Sequence, residues 1–186
     1  MNASPNAAKL QQVRLWSRLA ANGCAAAAVL FVVAVVYRWL SGTPESLATL
    51  LDLPHVSLTP TRRLASLALS ILPIAVIAWG VLRLRASFLC FARDELFSAK
   101  AIGGLRDFAA AGVGSVAIAA IVSPAVSLVL TAGTPLGAEV SIKIGTGSVM
   151  IVLISSVTWI FAHVLGLSAA LAEENASLAE ENAAFV

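Results

Sequence analysis

Charge is what this chain has least of. Asp, Glu, Lys and Arg make up 12% of its 186 residues, about half the share found in an ordinary soluble domain. No polar stretch is long enough to fold by itself, so a water-soluble globule is excluded and a single membrane domain is left. Histidine is nearly as scarce. His55 and His163 are the only two, and the topology derived below sends them to opposite faces of a membrane, where they cannot share a site. The chain has no HExxH, no GxSxG and no glycine-rich phosphate loop, so the parts of a catalytic centre are missing. The two cysteines, Cys24 in an apolar run and Cys90 in a polar connection, form no CxxC pair. That excludes a cysteine metal site and gives a disulfide no support. A formal net charge of +2 with dispersed basic residues excludes direct nucleic-acid binding. No cofactor or metal is expected. Coupled transport also lacks its usual intramembrane Asp, Glu, Lys or Arg, since His163 is the sole ionisable candidate at that depth, as a packing residue first and a proton sensor second.

What the chain does have is four stretches without a single Asp, Glu, Lys or Arg, over residues 19–37, 64–82, 109–132 and 144–167. At 1.5 Å per residue the shortest reaches about 28 Å, close to the roughly 30 Å hydrocarbon core of a bilayer. The runs are continuous rather than alternating, which predicts helices instead of barrel strands, because a helix satisfies its backbone groups within its own segment. The fold class expected is an all-α integral membrane bundle of four transmembrane helices with a cytoplasmic helical tail over 168–186. The first run is too long for a signal-peptide core and lacks a small-residue cleavage site, so it reads as a retained helix. Lys9, Arg14 and Arg18 precede the first run, and Arg83, Arg85, Arg93, Lys100 and Arg106 lie between the second and third. Against these eight, Arg38, Arg62, Arg63 and Lys143 flank the other ends. The positive-inside rule then places both termini and the middle loop in the cytoplasm. Trp16, Trp39 and Trp79 fall near the ends of the runs, where headgroup-level rings are expected.

Local signals sharpen the connections. Thr43-Pro44-Glu45 reads as cap, first-position proline and first-turn acid of a short amphipathic helix with Leu47, Leu50 and Leu51 on one face, ended by Pro54. Thr59-Pro60 starts the second long helix. Pro73 and Pro124 sit mid-helix, where they shape packing or act as hinges. Ser98 is an N-cap, with Phe97 and Ile102 placed for a hydrophobic staple, and Gly103-Gly104 predicts close packing or a bend. Asp94-Glu95 would balance Arg93, Lys100 or Arg106. Small residues recur as Ala111, Ser115, Ala119, Ser123 and Ser127, and as Ser148, Ser155, Ala162 and Gly166, strips that serve intramolecular packing or, less favoured, a homodimer contact. The tail repeats Leu-Ala-Glu-Glu-Asn-Ala from Leu171 and from Leu178. Leu171, Leu178 and Phe185 lie seven apart with Asn175 and Asn182 between them, a two-heptad seam short of a full coiled-coil signature. It is either an extension of the fourth helix folded on the basic middle loop, or a docking helix.

Leu82-Arg83-Leu84-Arg85, Phe88, Phe91-Ala92-Arg93, Glu95-Leu96-Phe97-Ser98, Leu105-Arg106 and the closing Leu178-Ala179-Glu180-Glu181-Asn182 with Phe185-Val186 resemble the bacterial membrane-protein family called domain of unknown function 2975. The resemblance covers about 78 of the 186 residues. Members tend to carry a glycine where this chain has Asp94. The resemblance implies four membrane helices in a bacterial inner membrane, no known catalytic residues, and a small helix-turn-helix regulator as cytoplasmic partner. The candidate partner-binding residues are Leu171, Leu178, Phe185, Glu95, Phe97 and Arg106. The expected role is a non-catalytic regulatory or scaffolding module, self-associating or not, with a small permeation component as the alternative.

Overall fold

The computed structural model describes residues 5–51, 53, 56, 58–132, 137, 140 and 145–184, with side chains from residue 11 to residue 181 apart from Leu50. Pro54, His55, Lys143, Ile144 and Phe185 lie outside the described residues. Among the described residues five α-helices follow one another: α1 Pro5–Ser41, α2 Pro44–Leu51, α3 Pro60–Phe91, α4 Ala99–Thr131 and α5 Thr146–Ala184. The four long ones are each long and apolar enough to cross a membrane, so the chain is all-helical with four candidate spans.

Every long helix overruns its apolar run except α4 at its C-terminal end and α5 at its N-terminal end. Lipid dictates where charge is excluded, not where the i to i−4 ladder stops. Capping residues decide several of these starts. Thr59 accepts a hydrogen bond from Arg62 N (3.3 Å) ahead of Pro60, Ser98 accepts from Ala101 N (3.2 Å), and Thr43 accepts from Ser46 N (3.3 Å). All three caps stand where the sequence puts them. Both Pro73 and Pro124 are absorbed inside helices that continue past them.

The long helices stand in a row, α1 against α3, α3 against α4 and α4 against α5. The expected bundle is therefore open: α5 has one substantial helical neighbour. Burial agrees, since 22% of the most apolar window of α4 lies inside the protein against 11% for each of the other three. The row curves enough for Phe31, Ile74, Val116 and Ile151, one from each long helix, to border a single cavity of about 190 Å³.

Close approach in the row is made by small residues. A Cβ on Gly80 would stand 2.5 Å from that of Ala111, and one on Gly112 would collide with Ser155 Oγ. Ala111, Ser115 and Ser127 on α4, and Ser155 and Ala162 on α5, are buried within the chain. Both predicted strips thus serve internal helix packing, and their buried members are not free for a homodimer contact. Of the glycine pair, Gly104 is the close-packed one, with Arg83 O only 2.6 Å from where its Cβ would be, while Gly103 faces open space.

Candidate interaction face

The turn between α3 and α4, the N-terminal part of α1 and the C-terminal part of α5 all lie at one end of the row, the loop pole. Its geometry starts from the end of α3. Glu95 N donates to Cys90 O (3.1 Å) and Asp94 N donates to Phe91 O (3.2 Å), the paired bonds of a Schellman ending. Such an ending puts its penultimate residue in the left-handed region, usually as glycine. Here that residue is Asp94, with φ 64°. Aspartate tolerates this conformation better than most residues. In exchange its carboxylate receives Arg14 of α1, whose Nε donates at 3.2 and 3.0 Å and whose guanidinium also forms an ion pair with it. The hydrogen bond and the charge of Arg14 hold the Asp94 carboxyl below its ordinary range.

Asp94 therefore pairs with neither Arg93, Lys100 nor Arg106, the partners expected from the sequence. Local spacing favoured those three, but the row brings α1 alongside α3 and delivers Arg14 from 80 positions away. A second tie joins α3 to α4, where Arg83 Nε donates to Asp107 Oδ2 at 2.6 Å, with the same guanidinium 6.0 Å from the Trp79 ring centroid. Beneath them the buried Ser87 hydroxyl donates to Ala101 O at 2.7 Å. The only advance signal for any of this was Asp94 itself, an acid where the turn would take glycine.

Of the predicted site residues, Glu95 is exposed, and its carbonyl accepts from Ser98 N (3.3 Å) and Ser98 Oγ (2.9 Å). Phe97 leaves 52% of its surface exposed while Ile102 is buried, so a staple, if closed, leaves half of Phe97 bare. Arg106 runs along α5, its guanidinium 3.3 Å from where a Cβ of Gly166 would be. Leu171 and Leu178 are 51% and 49% exposed, and Phe185 lies outside the described residues.

The structure thus brings Arg106 to the root of the tail but leaves Leu171 and Leu178 uncovered. The tail is one unbroken continuation of α5, and residues 170–181 are all exposed. Among the described residues Glu173, Glu174, Glu180 and Glu181 make no ion pair, so the tail does not fold back on the basic loop. An α4–α5 groove of about 600 Å³ lined by Ala109, Val113, Ser155, Trp159 and Ile160 opens on the apolar flank. No three His, Cys, Asp or Glu side chains converge among the described residues. Comparison with family models, curated proteins and solved structures gives no match to this chain.

Proposed function

We propose that the chain is a multi-pass protein of the bacterial inner membrane, with both termini and the loop pole in the cytoplasm. In this reading it is a non-catalytic regulatory or scaffolding module that presents the loop pole and the C-terminal tail to a cytoplasmic protein. The observation that carries this is the length of α5. Its 39 residues extend about 58 Å, nearly twice the hydrocarbon core, and the surplus stands clear of the fold with Leu171 and Leu178 bare. A solvated helix that keeps apolar residues on one stripe and acids elsewhere suits a protein partner better than it suits water. The dominance of Lys and Arg at this pole supports the orientation, and the resemblance to domain of unknown function 2975 favours a helix-turn-helix regulator as the partner. The permeation alternative needs a polar path. The cavity shared by the four long helices is bordered mainly by apolar side chains, which favours the module.

The test has two arms on the full chain in cell membranes. A membrane-impermeant thiol reagent is applied to Ser46→Cys and Ser177→Cys in a background with Cys24 and Cys90 replaced by Ala. Labelling of Ser177→Cys only after the cytoplasmic face is opened, and of Ser46→Cys from outside, is expected; the reverse pattern overturns the orientation. A photo-crosslinking residue at Phe97 or Glu180 is expected to trap one soluble protein. Capture of lipid alone overturns the module reading.

A further inference from the structure

The seam legible in the tail does not end at the membrane. Because α5 is one helix from Thr146 to Ala184, the seven-residue spacing of Leu171 and Leu178 can be followed backwards along a single rod. With those leucines at d positions, Asn175 and Ser168 are a positions. The series continues upstream as Val164, Phe161, Val157, Ile154 and Met150, with no register break. Every apolar member of this series is between 49% and 66% exposed. The opposite side of the same helix, through Ser155 and Ala162 at 1% and 0% exposure, is the one packed on α4. The two tail heptads thereby continue in phase onto an uncovered face of the apolar segment, while the coiled-coil pattern itself stays with the tail.

We infer that this seam pairs with the same seam of a second copy, forming a parallel two-stranded α5 coil that runs from mid-membrane into water. The inference rests on the membrane-spanning part of the function proposed above, not on its cytoplasmic partner. Two copies inserted with one topology hold their α5 helices parallel, the arrangement that a two-fold axis along the membrane normal requires.

The residue types then fall where such a dimer needs them. Leucine at d and a polar asparagine at a are the pattern that selects a two-stranded, in-register coil. Asn175 gives one amide hydrogen to Leu171 O at 2.9 Å, which leaves its second hydrogen and its carbonyl oxygen for its own counterpart. Ser168 spends its hydroxyl on Val164 O at 2.9 Å and brings no unmet polar group to the seam.

Charge placement excludes most alternatives. Glu174 is a g position, and the e position of the following heptad that it meets across a parallel dimer is Ala179, so it finds no acid opposite it. A basic partner helix would instead need acids on both flanks of the seam. Leu171 and Leu178 lie beyond the charge-free run and are removed from water by pairing, while the other five apolar members lie within it, where close packing rather than area removed from water holds helices together. The membrane segment supplies the nucleation and the high local concentration that a two-heptad tail lacks by itself. The dimer takes Leu171 and Leu178 for a second copy, so a cytoplasmic partner would meet the paired tails at Phe97 of the loop and at the outward f positions Glu173 and Glu180.

The experiment is oxidative cross-linking of the full-length chain in its membrane, with Cys24 and Cys90 replaced by Ala. Single cysteines are placed on the seam (Leu178→Cys, Val157→Cys) and at a c position of the same tail (Ser177→Cys). The expected result is a species of twice the monomer mass at both seam positions, with about ten-fold less at Ser177→Cys, as coiled-coil geometry demands. Replacing Leu171 by Asp in the Leu178→Cys protein should reduce the dimer several-fold. Equal cross-linking at 177 and 178, cross-linking at neither seam position, or a ladder of higher species each overturns the two-stranded coil. Two-tag co-purification of the unmodified chain from mixed expression supplies a second readout, and failure to co-purify counts against it. The photo-crosslink from Phe97 succeeds or fails independently, which separates loss of this dimer from loss of the cytoplasmic-partner reading.

Discussion

The two poles of the molecule are closed by different means. Away from the loop pole, Trp39 of α1, Leu47 of α2, Leu53, and Val126 and Leu130 of α4 form a buried apolar plug. Arg63 locks its edge by donating to Leu40 O (2.7 Å) and Gly42 O (2.8 Å), the orphan carbonyls at the end of α1. The loop pole also has a buried interior, built from smaller side chains, with Cys90, Ala92, Ala101, Ile102 and Leu105 all under 9% exposed. Over that interior its surface is finished by a backbone motif and by ion pairs standing in solvent, Arg14 with Asp94 and Arg83 with Asp107. Apolar burial near 25 cal/mol per Å² outweighs exposed pairs of roughly 0–1 kcal/mol. Burial therefore holds both poles, through large side chains at the plug and close helix approach near the loop, while the ion pairs leave the loop pole a polar, adjustable surface.

The largest effect expected is at the plug. Leu47 is 1% exposed, and Leu47→Ala should cost about 2–5 kcal/mol through lost burial and a residual cavity. The readout is a lowered melting point in detergent, followed by reaction of the buried Cys90 thiol with Cys24 replaced by Ala. Next comes the α3–α4 seam near the loop. Gly104→Ala drives a methyl group against Ser87 and the Arg83 carbonyl and should cost about 1–3 kcal/mol. The neighbouring Gly103→Ala, which meets nothing within 4 Å, should gain about 1 kcal/mol from helix propensity. If Gly104→Ala lowers the melting point more than Leu47→Ala, the ranking of the poles is reversed.

The smallest effect is electrostatic. Asp94 has its pKa depressed by Arg14, so the contribution of the pair is present above the unfolded carboxylate value and is lost as pH falls through the lower folded value. A spin label at Gln11 should stay immobilised at a pH where ordinary carboxylates, near about 4, are already half protonated, and become mobile below it. The same label should loosen in about 1 M salt, where the screening length shrinks to about 3 Å, with no change in the melting point set by Leu47. Asp94→Asn, which keeps the turn-tolerant backbone, should mimic the low-pH state at neutral pH.

How much of this was legible depended on distance along the chain. Ser98, Thr59 and Thr43 were readable as caps because donor and acceptor lie three residues apart. The existence of four helices followed from charge-free length alone. Arg63 read only as a topology charge, because its carbonyl partners more than 20 residues upstream become neighbours only when α3 packs back alongside α1. Trp39 was expected at the headgroup level and is 7% exposed inside the plug, because the short helix α2 covers it. Trp16 and Trp79 keep 63% and 52% of their surface. The candidate face was half legible: Leu171 and Leu178 were visible as a heptad, but whether the tail folds back on the basic loop or stands clear depended on contacts far apart in the chain, and residues 170–181 are exposed.

An unbroken α5 also has a mechanical consequence. From Ser168 to Ala184 the helix projects about 25 Å as a stiff arm, at 1.5 Å per residue. A tilt of about 10° in the bilayer, of the kind a change in membrane thickness imposes, swings its tip by about 4 Å, the span of one side-chain contact. In the membrane orientation proposed above, the arm would convert a change in bilayer thickness into displacement at its far end.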